Sequence, residues 1–435
     1  MTNATSNAPP AVPRRIANWR RPRHAVLALL LTLLLLFGAL AMPASAAESR
    51  VLPELQEWAN AAPDAEQRVI VRRVEGNRAA DAAVTRAGGR IIGDLGALDA
   101  FVALVPGRAL NSLGRHPAIQ YISPDAPMRS TTIIDSSQLA TFYPATVNAP
   151  LVWARGITGR GVGVAIIDTG INKDLRDFHD RTNNYSRLIT RQAFTSFHAS
   201  RLDKHGHGTH IAGIVGGNSC NRETAVRCRY IGIAPEATLI DVTVAGDDGV
   251  SYVSDVVRGV DWVIENRQAL NIRVMNLAMV SSVAESYRTS VLAAAVERAW
   301  FSGILVVVSA GNGGPDTMRF PPANDPFVVT VGASDTMGTA IRTDDRLAPW
   351  SSYGDTQDGH VKPDVVAPGR AIVAPRSYPD AVLSTNQRVV DQSYLRLSGT
   401  SMAAPVVAGV AALAFQARPQ WTNDQVKCNM RLPAL

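Results

Sequence analysis

The chain has 435 residues, of which 46 % are hydrophobic and 18 % charged, and only three are cysteines. This composition fills a large core and excludes a disordered, collagen-like or coiled-coil chain and a disulfide scaffold. Five arginines in residues 1–46 carry +5 of the net charge of +6, so nucleic-acid binding is not expected of the nearly neutral remainder. The length is comfortable for two domains.

Residues 1–46 have the pattern of a secretory signal peptide. The arginines precede the leucine-rich apolar run Ala25–Met42, and Ala44-Ser45-Ala46 follows as a small-residue cleavage site. An uncleaved anchor is the alternative, because 18 apolar residues reach the lower limit for a membrane span. We expect cleavage after Ala46 and a secreted, extracellular protein that touches a membrane only through this leader.

Export also affects the cysteines. Cys220 and Cys228 are eight residues apart in a polar loop, close enough to form a disulfide in an oxidising compartment. Cys428 is left without a partner in this chain.

The segment after the leader predicts a small α+β domain. Residues 47–66 are polar and alanine-rich and indicate a linker or a frayed start. From residue 68 the order strand, helix, strand, strand, helix, strand is ferredoxin-like. The predicted elements are Arg68–Arg73, Ala79–Ala87, Arg90–Ile92, Ala100–Val105, Ala109–Leu113 and Ile119–Ile122. Residues 126–150 lack periodicity and predict an exposed connector.

The rest of the chain predicts an α/β fold with a mostly parallel sheet. Apolar residues at helical spacing, in 253–264 and 292–299, predict crossover helices between its strands. Short runs rich in β-branched residues predict buried strands. These runs are Val162–Ile167, Thr238–Val244, Arg273–Leu277, Ile304–Val308 and Phe327–Val331.

Polar motifs occur where such a sheet places its ligands, at the carboxyl ends of the strands. Asp168 ends the first strand, although an aspartate there more often caps a turn. His205, His207 and His210 begin a helical segment, where they either stand in a crevice or ligate a metal, but the Glu of an HExxH motif is missing.

Two further motifs complete the set. Asn312 follows the strand 304–308 in a glycine-rich turn that leaves its amide able to face a ligand, or simply forms the turn. Ser401 opens a helix, where free N–H groups and the helix dipole favour a developing oxyanion. A helix-capping serine is the alternative.

The four motifs together, in the order Asp, His, Asn, Ser, resemble the subtilisin-like serine proteases (subtilases) over roughly residues 140–427. The segments that carry the resemblance are Ile166–Gly170, His207–His210 and Gly399–Pro405. It implies a subtilisin-like, mostly parallel sheet with helices on both faces, preceded by a small ferredoxin-like α+β propeptide domain.

The resemblance also assigns roles. It implies a serine endopeptidase in which Ser401 is the nucleophile, His207 the general base and Asp168 the group that orients the imidazole. Asn312 and the Ser401 N–H would form the oxyanion hole. No cofactor is required.

Two substrate-binding walls follow from the same resemblance. Their residues are Asn276, Leu277, Ala278 and Met279 on one side, and Ser309, Ala310 and Gly311 on the other. Relatives usually have Ser-Leu-Gly where this chain has Ala278-Met279-Val280, and the missing glycine narrows the cleft. Neither wall has an acidic cluster, which favours apolar side chains over paired basic residues.

A structural calcium ion is an option rather than a requirement. Asp177 matches a calcium-ligand position of some relatives, but the loop 217–229 that would complete the site is altered and contains Cys220 and Cys228.

The predicted organisation is a signal peptide (1–46), a propeptide (47–128, core 68–125) and a peptidase domain (129–435). The propeptide predicts a zymogen inhibited in the same molecule, whose tail lies in the cleft like a product strand and is cut near Met128–Thr131. The partners are thus polypeptide substrates and the protein's own propeptide.

Two other functions and one structural question stay open at this point. The rivals are a catalytically silent binding protein of subtilase fold and a metal-dependent hydrolase that uses His205, His207 and His210. Thr422 and Gln425 make a capping box that starts a final helix near Asn423. Because Pro433 follows so soon, we expect a truncated or altered C-terminus.

Overall fold

The computed structural model describes residues 50–130, 142–180, 185–219 and 229–432. The predicted leader, the Cys220–Cys228 pair and the residues next to Ser130 on its C-terminal side lie outside the described residues. Cys428 is exposed, and its thiol is free.

Residues 50–130 form an N-terminal α+β region. Its elements are α1 (Pro53–Ala61), β1 (Glu66–Arg73), α2 (Ala79–Arg86), β2 (Arg90–Leu95), a 3₁₀ turn (Gly96–Leu98), β3 (Ala100–Pro106), α3 (Gly107–Leu113) and β4 (Ile119–Pro124). The antiparallel sheet has the order β2-β3-β1-β4, with Val69 opposite Ala103 and Val71 opposite Ile122. The predicted ferredoxin-like order is confirmed.

The linker predicted for residues 47–66 is wrong, because α1 forms there. Leu52, Leu55 and Ala59 recur at helical spacing, and all three are buried against the sheet. Pro53 begins the helix at a position that needs no N–H. The helix was not predicted because its apolar stripe is short and lies in an alanine-rich segment.

A mostly parallel sheet forms the centre of the rest of the molecule, as predicted. Its order is β14-β13-β12-β10-β6-β8-β7, with β17 also paired to β13, and only the short β14 is antiparallel. The strands are β6 (Gly163–Asp168), β7 (Leu188–Ala193), β8 (Thr238–Thr243), β10 (Ile272–Leu277), β12 (Leu305–Ser309), β13 (Val329–Asp335), β14 (Arg346–Leu347) and β17 (Val365–Pro368). The edge strand β7 was not predicted.

Helices cover both faces of this sheet. The larger ones are α6 (His207–Gly216), α7 (Val253–Asn266), α8 (Val291–Phe301), α9 (Thr400–Ala417) and α10 (Asn423–Arg431). α6 packs against α9, and α7 packs against α8. Among the described helices, α9 alone has the length and apolar character of a membrane span, but 78 % of it is buried as a core helix. The capping box of Thr422 and Gln425 starts α10 as predicted.

Smaller elements frame the edge of the sheet. They are β5 (Pro127–Ser130), α4 (Tyr143–Thr146), α5 (Ala149–Trp153), a 3₁₀ turn (Arg176–Phe178), β9 (Val250–Tyr252), β11 (Met279–Ser281), β15 (Gly354–Asp355), β16 (Val361–Lys362), β18 (Ile372–Pro375), β19 (Val389–Asp391) and β20 (Tyr394–Leu397).

The exposed connector predicted for residues 126–150 is wrong in its described parts. Ala126 and Met128 are buried, and β5 is the middle strand of the antiparallel sheet β11-β5-β9. The strand partners lie more than a hundred residues further along the chain, so local periodicity could not reveal them. α4 and α5 follow at 143–153.

Candidate active site

The carboxyl end of β6 and the start of α6 bring Asp168 and His207 together. Nδ1 of His207 lies 2.7 Å from Oδ1 of Asp168, and both side chains are buried. A carboxylate only accepts hydrogen bonds, so Nδ1 carries the proton and Nε2 keeps its lone pair. Nε2 is buried, and none of the described residues forms a hydrogen bond with it. The imidazole is therefore held in the tautomer of a general base.

Glycine at position 208 allows this close approach. A Cβ on Gly208 would lie 2.2 Å from the carbonyl oxygen of Gly170 and 3.1 Å from the Cβ of Asp168. Any other residue would push the first turn of α6 away from the end of β6. The turn that carries His207 can thus rest directly on the loop that carries Asp168.

Ser401 stands in the first turn of α9, fully buried. Its Oγ donates to the carbonyl oxygen of Ala278 over 3.0 Å, and it is not hydrogen-bonded to Nε2 of His207. To act as a nucleophile, the hydroxyl must turn from Ala278 towards His207. Hydrogen bonds between a nucleophile and its base commonly tighten only when a substrate is bound.

Asn312 follows β12 and is oriented by Thr400, the neighbour of Ser401. Both the N–H and the hydroxyl of Thr400 donate to Oδ1 of Asn312, each over 3.0 Å. The Thr400 hydroxyl in turn accepts from the N–H of Gly311 over 3.1 Å. Since the oxygen of the amide is occupied, its NH₂ group remains to donate to a ligand.

The first predicted substrate wall consists of main chain rather than side chains. The side chains of Asn276, Leu277, Ala278 and Met279 are fully buried, and so is that of Ser309 on the opposite wall. The amide of Asn276 and the hydroxyl of Ser309 have no hydrogen-bond partner among the described residues. What β11 offers to the cleft is its backbone, which pairs with β5.

The second strand that borders β5 was missed at the level of sequence. β9 pairs with the other edge of β5, with Pro127 opposite Tyr252 and Arg129 opposite Val250. On the first edge, Met279 lies opposite Ser130 and Ser281 opposite Met128. The local signal for this strand was weak: Val250, a β-branched residue, lies between Gly249 and the helix predicted from residue 253.

A cavity of about 270 Å³ opens beside Asn312. Its surface is mainly apolar, and no acidic side chain is among the described residues that line it. The residues that shape it include Val280, Ala310, Gly311, Thr317 and Phe320.

His205 and His210, the other two histidines of the motif, lie in surroundings different from those of His207. Burial lowers the pKa of His205 to about 4 and that of His210 to about 3, so both are neutral at pH 7. Nε2 of His210 faces the carbonyl oxygen of Leu395 at 3.2 Å. In the part of the chain that the structure describes, no three histidine, cysteine or acidic side chains converge as metal ligands. Within these described residues, His205, His207 and His210 do not come together as a metal site.

Asp177 is buried, and several of the oxygens around it accept hydrogen bonds from described residues. Its Oδ1 accepts from the hydroxyl of Tyr394 over 2.6 Å. Its carbonyl oxygen accepts from the guanidinium of Arg187, which also donates to the carbonyls of Gly216 and Ala237. The cationic side chain of Arg187 thus already occupies these three carbonyl oxygens. Because residues 220–228 lie outside the described chain, calcium binding at Asp177 stays a prediction.

Comparison with known proteins agrees with this geometry. The sequence profile described as "Subtilase family" matches residues 159–432. The chain is 37 % identical over 280 residues to the serine protease AprX of Bacillus subtilis (strain 168), covering 62 % of this chain and 60 % of that protein. It is 33 % identical over 285 residues to subtilisin BL of Lederbergia lenta, covering 66 % of this chain and 87 % of that protein.

Two further similarities extend the comparison. The chain is 33 % identical over 315 residues to an alkaline protease of Alkalihalobacillus alcalophilus, covering 72 % of this chain and 68 % of that protein. A solved cold-adapted subtilisin-like serine proteinase aligns with a TM-score of 0.46 and 29 % identity, over 63 % of this chain and 82 % of the other.

Proposed function

Since the chain belongs to the subtilase family, we propose that it is a secreted serine endopeptidase made as a self-processing zymogen. One observation supports this above all: the 2.7 Å contact between Asp168 and His207 occurs in a site that also contains Ser401 at a helix start and an amide oriented by Thr400. This set supplies a nucleophile, a base, an orienting carboxylate and an oxyanion donor.

The reaction is an acyl transfer in two halves. Oγ of Ser401 attacks the peptide carbonyl carbon while its proton passes to Nε2 of His207. The carbonyl oxygen becomes an oxyanion, which the Asn312 NH₂ group and the N–H of Ser401 stabilise. His207 then gives the proton to the leaving amine, the C–N bond breaks and an ester on Ser401 remains. Water repeats the steps and releases the acid.

Substrates are proposed to bind as extended strands. β5 already occupies the gap between β9 and β11, paired by backbone on both edges. This is strand addition, in which main-chain hydrogen bonds bind a peptide regardless of its sequence and the pockets select side chains. Polypeptides in general are therefore the substrate class.

The cavity beside Asn312 sets the proposed preference at the cut residue. Its volume of about 270 Å³ and its apolar lining suit small and medium apolar side chains. Val280 partly fills the space that a glycine would leave open, and the described part of the lining has no carboxylate to bind arginine or lysine. A broad apolar preference follows.

The N-terminal α+β region is proposed to be the inhibitory propeptide. Its β4 is followed by β5, and the pairing advances from Ser281 to Met279 as the chain runs from Met128 to Ser130. The strand thus leads towards Ala278, whose carbonyl holds the hydroxyl of Ser401. We therefore keep the proposed cleavage near Met128–Thr131, and N-terminal sequencing of the secreted form tests it.

The same region also contacts the peptidase domain beside the cleft. The guanidinium of Arg68 binds Asp125 over 2.6 Å and lies 4.0 Å above the ring of Tyr252. Met128 is completely buried in the main core. Such contacts would keep the tail in place after it is cut.

Labelling of the processed, secreted protein with a fluorophosphonate tests the proposed function. The reagent should attach to Ser401, as mapped by mass, and a chelator should not prevent it. Protein with Ser401→Ala should stay unlabelled. A processed protein that is folded but does not react would instead be a silent binding protein. A protein inactivated by chelation but not by the reagent would be a metal-dependent hydrolase.

A further inference from the structure

Asp203 is a buried carboxylate between the two loops of the active site, and the mechanism above does not use it. Its side chain is 1 % exposed, and its backbone has a φ of 49°, in the left-handed region that residues other than glycine rarely adopt. Strained backbone of this kind persists where surrounding contacts enforce it, often beside functional groups.

Four donors fill both oxygens of Asp203. Oδ1 accepts from the hydroxyl of Thr169 and from the N–H of Gly206, each over 2.8 Å. Oδ2 accepts from the N–H of Thr209 over 2.8 Å and from its hydroxyl over 2.6 Å. All four donors are uncharged groups.

These donors belong to the two segments whose spacing matters for catalysis. Thr169 follows Asp168, and its N–H donates to the same Oδ1 that faces His207, over 2.8 Å. Gly206 and Thr209 flank His207 at the start of α6. One carboxylate therefore joins the loop of the orienting aspartate to the turn of the general base.

The two hydroxyls extend the connection. That of Thr169 accepts from the N–H of Gly208 over 2.9 Å. That of Thr209 accepts from the N–H of Asn172, beyond the loop, also over 2.9 Å. Each threonine thus passes a hydrogen bond from Asp203 across the gap between the strand end and the helix start.

We propose that Asp203 is a positioning residue that sets the distance and angle between Asp168 and His207 through Thr169, Gly206 and Thr209. It touches neither the substrate nor the reacting atoms. This inference rests on the proposed function, because it assigns a task within the same hydrolytic site.

Asp203→Asn is a sharp test of this role. Each oxygen of the carboxylate accepts one backbone N–H, from Gly206 or from Thr209. An amide has only one accepting end, so in either orientation its NH₂ group faces a backbone N–H. The start of α6 must then shift, although the volume of the side chain is unchanged.

The experiment compares Asp203→Asn with Asp325→Asn in processed enzyme whose active sites have been titrated. Asp325 is also fully buried, and its Oδ1 accepts two backbone N–H groups, from Phe327 and Val328. It lies just before β13, at the amino ends of the parallel strands. We expect Asp203→Asn to lower kcat by about a hundredfold with KM little changed. Asp325→Asn should change only the melting temperature.

A second pair of variants tests the same role if Asp203→Asn does not fold. Thr169→Val removes one donor and leaves the carboxylate intact, and it should lower kcat by about tenfold. Thr169→Ser keeps the hydroxyl and should lose less than Thr169→Val. The proposal is overturned if Asp203→Asn and Thr169→Val lose no more kcat than Asp325→Asn, or if the loss falls on KM alone.

The fluorophosphonate distinguishes this failure from failure of the proposed function. If the unaltered protein reacts at Ser401 and Asp203→Asn reacts at the same rate, Asp203 has no positioning role. If the unaltered protein does not react, the proposed function itself fails. A slower reaction of Asp203→Asn with an unchanged final extent supports the positioning role.

Discussion

The main-chain N–H of Ser254, in the first turn of α7, donates to Oδ1 of Asp125 over 2.8 Å, and the Ser254 hydroxyl donates to Oδ2 over 2.6 Å. Asp125 belongs to the N-terminal α+β region, whereas α7 belongs to the peptidase domain. A carboxylate of the proposed inhibitor therefore caps a helix of the enzyme, where N–H groups and the helix dipole favour negative charge.

Asp125→Ala should weaken the hold of the cut propeptide. The change removes the acceptor of both Ser254 hydrogen bonds and the ion-pair partner of Arg68, while the capping box of Tyr252 and Asp255 remains. This loss costs about 2 kcal/mol, or roughly thirtyfold in affinity. The lag between processing and full peptidase activity should shorten accordingly. Asp94→Ala is the matched control, since Asp94 is 60 % exposed on the same region. Equal lags in the two variants would contradict the role of Asp125.

Ser401→Ala should abolish peptide hydrolysis without affecting export. Loss of the nucleophile costs on the order of 10⁶ in turnover in subtilisin-type enzymes. Because the same site is proposed to cut the propeptide, the secreted variant should start just after residue 46 rather than near residue 130. Intact mass of the secreted protein measures this. Normal processing in the variant would mean that another protease makes the cut.

Asn312→Ala should lower kcat by about 10²–10³ with little effect on KM, because the amide binds the oxyanion rather than the ground-state carbonyl. Steady-state kinetics on a peptide amide measure both constants. A large rise in KM with kcat preserved would instead place the Asn312 side chain in substrate binding. The variant also removes the acceptor of both Thr400 hydrogen bonds. Its melting temperature therefore serves as the control for a general loss of stability.

Val280→Gly should enlarge the cavity beside Asn312 and shift specificity towards larger apolar residues. The backbone pairing of position 280 with Arg129 does not depend on the side chain, so extended binding should persist. The ratio of kcat/KM for phenylalanine over alanine at the cut residue should rise by about tenfold, since one or two methylene groups of pocket space are worth that much. An unchanged ratio would exclude Val280 from the pocket wall.

Docking of the propeptide should weaken as the pH rises. Burial, aided by the charge of Glu54 and opposed by Ser290 and Arg72, raises the pKa of Glu285 from its ordinary value of 4.5 to about 8. Glu54, Arg72 and Tyr121 of the N-terminal region face this carboxyl group. The docked form thus holds a proton that the separated form releases between pH 4.5 and about 8.

The lag before activity at a series of pH values measures this dependence. It should shorten as the pH rises towards 8 and level off above it. Glu285→Gln removes the titration and should give a lag that varies much less with pH. A wild-type lag that lengthens as the pH rises would contradict the assignment.

Sequence predicted the central sheet and its helices well because their signals are local. The strand that became β6 and the helix that became α9 are apolar runs that any packing must bury, and the motifs at Asp168, His207 and Ser401 stand at their ends. Parallel sheets gather those ends at one edge. The position of these motifs could therefore be predicted without knowing which strands pair with each other.

What could not be predicted depends on partners that are remote in sequence. β5 is a strand only because β9 and β11 enclose it, and α1 is a helix whose apolar stripe is confirmed only by the sheet beneath it. Asp203 lies in a polar loop, where nothing separates it from a solvated aspartate until Thr169 and Thr209 are folded around it. The hydrogen bond from Ser401 to Ala278 is a rotamer choice and leaves no mark in the sequence.

Departure of β5 with the proposed propeptide would have a cost for the processed enzyme. β9 and β11 then face each other across an empty slot, and each presents a row of unpaired N–H and carbonyl groups. Any stretched-out polypeptide can fill that slot, including a partly unfolded neighbouring copy of the same protease. Shelf life at high concentration should therefore depend on how much cut propeptide is retained, and autolysis should start when it is degraded.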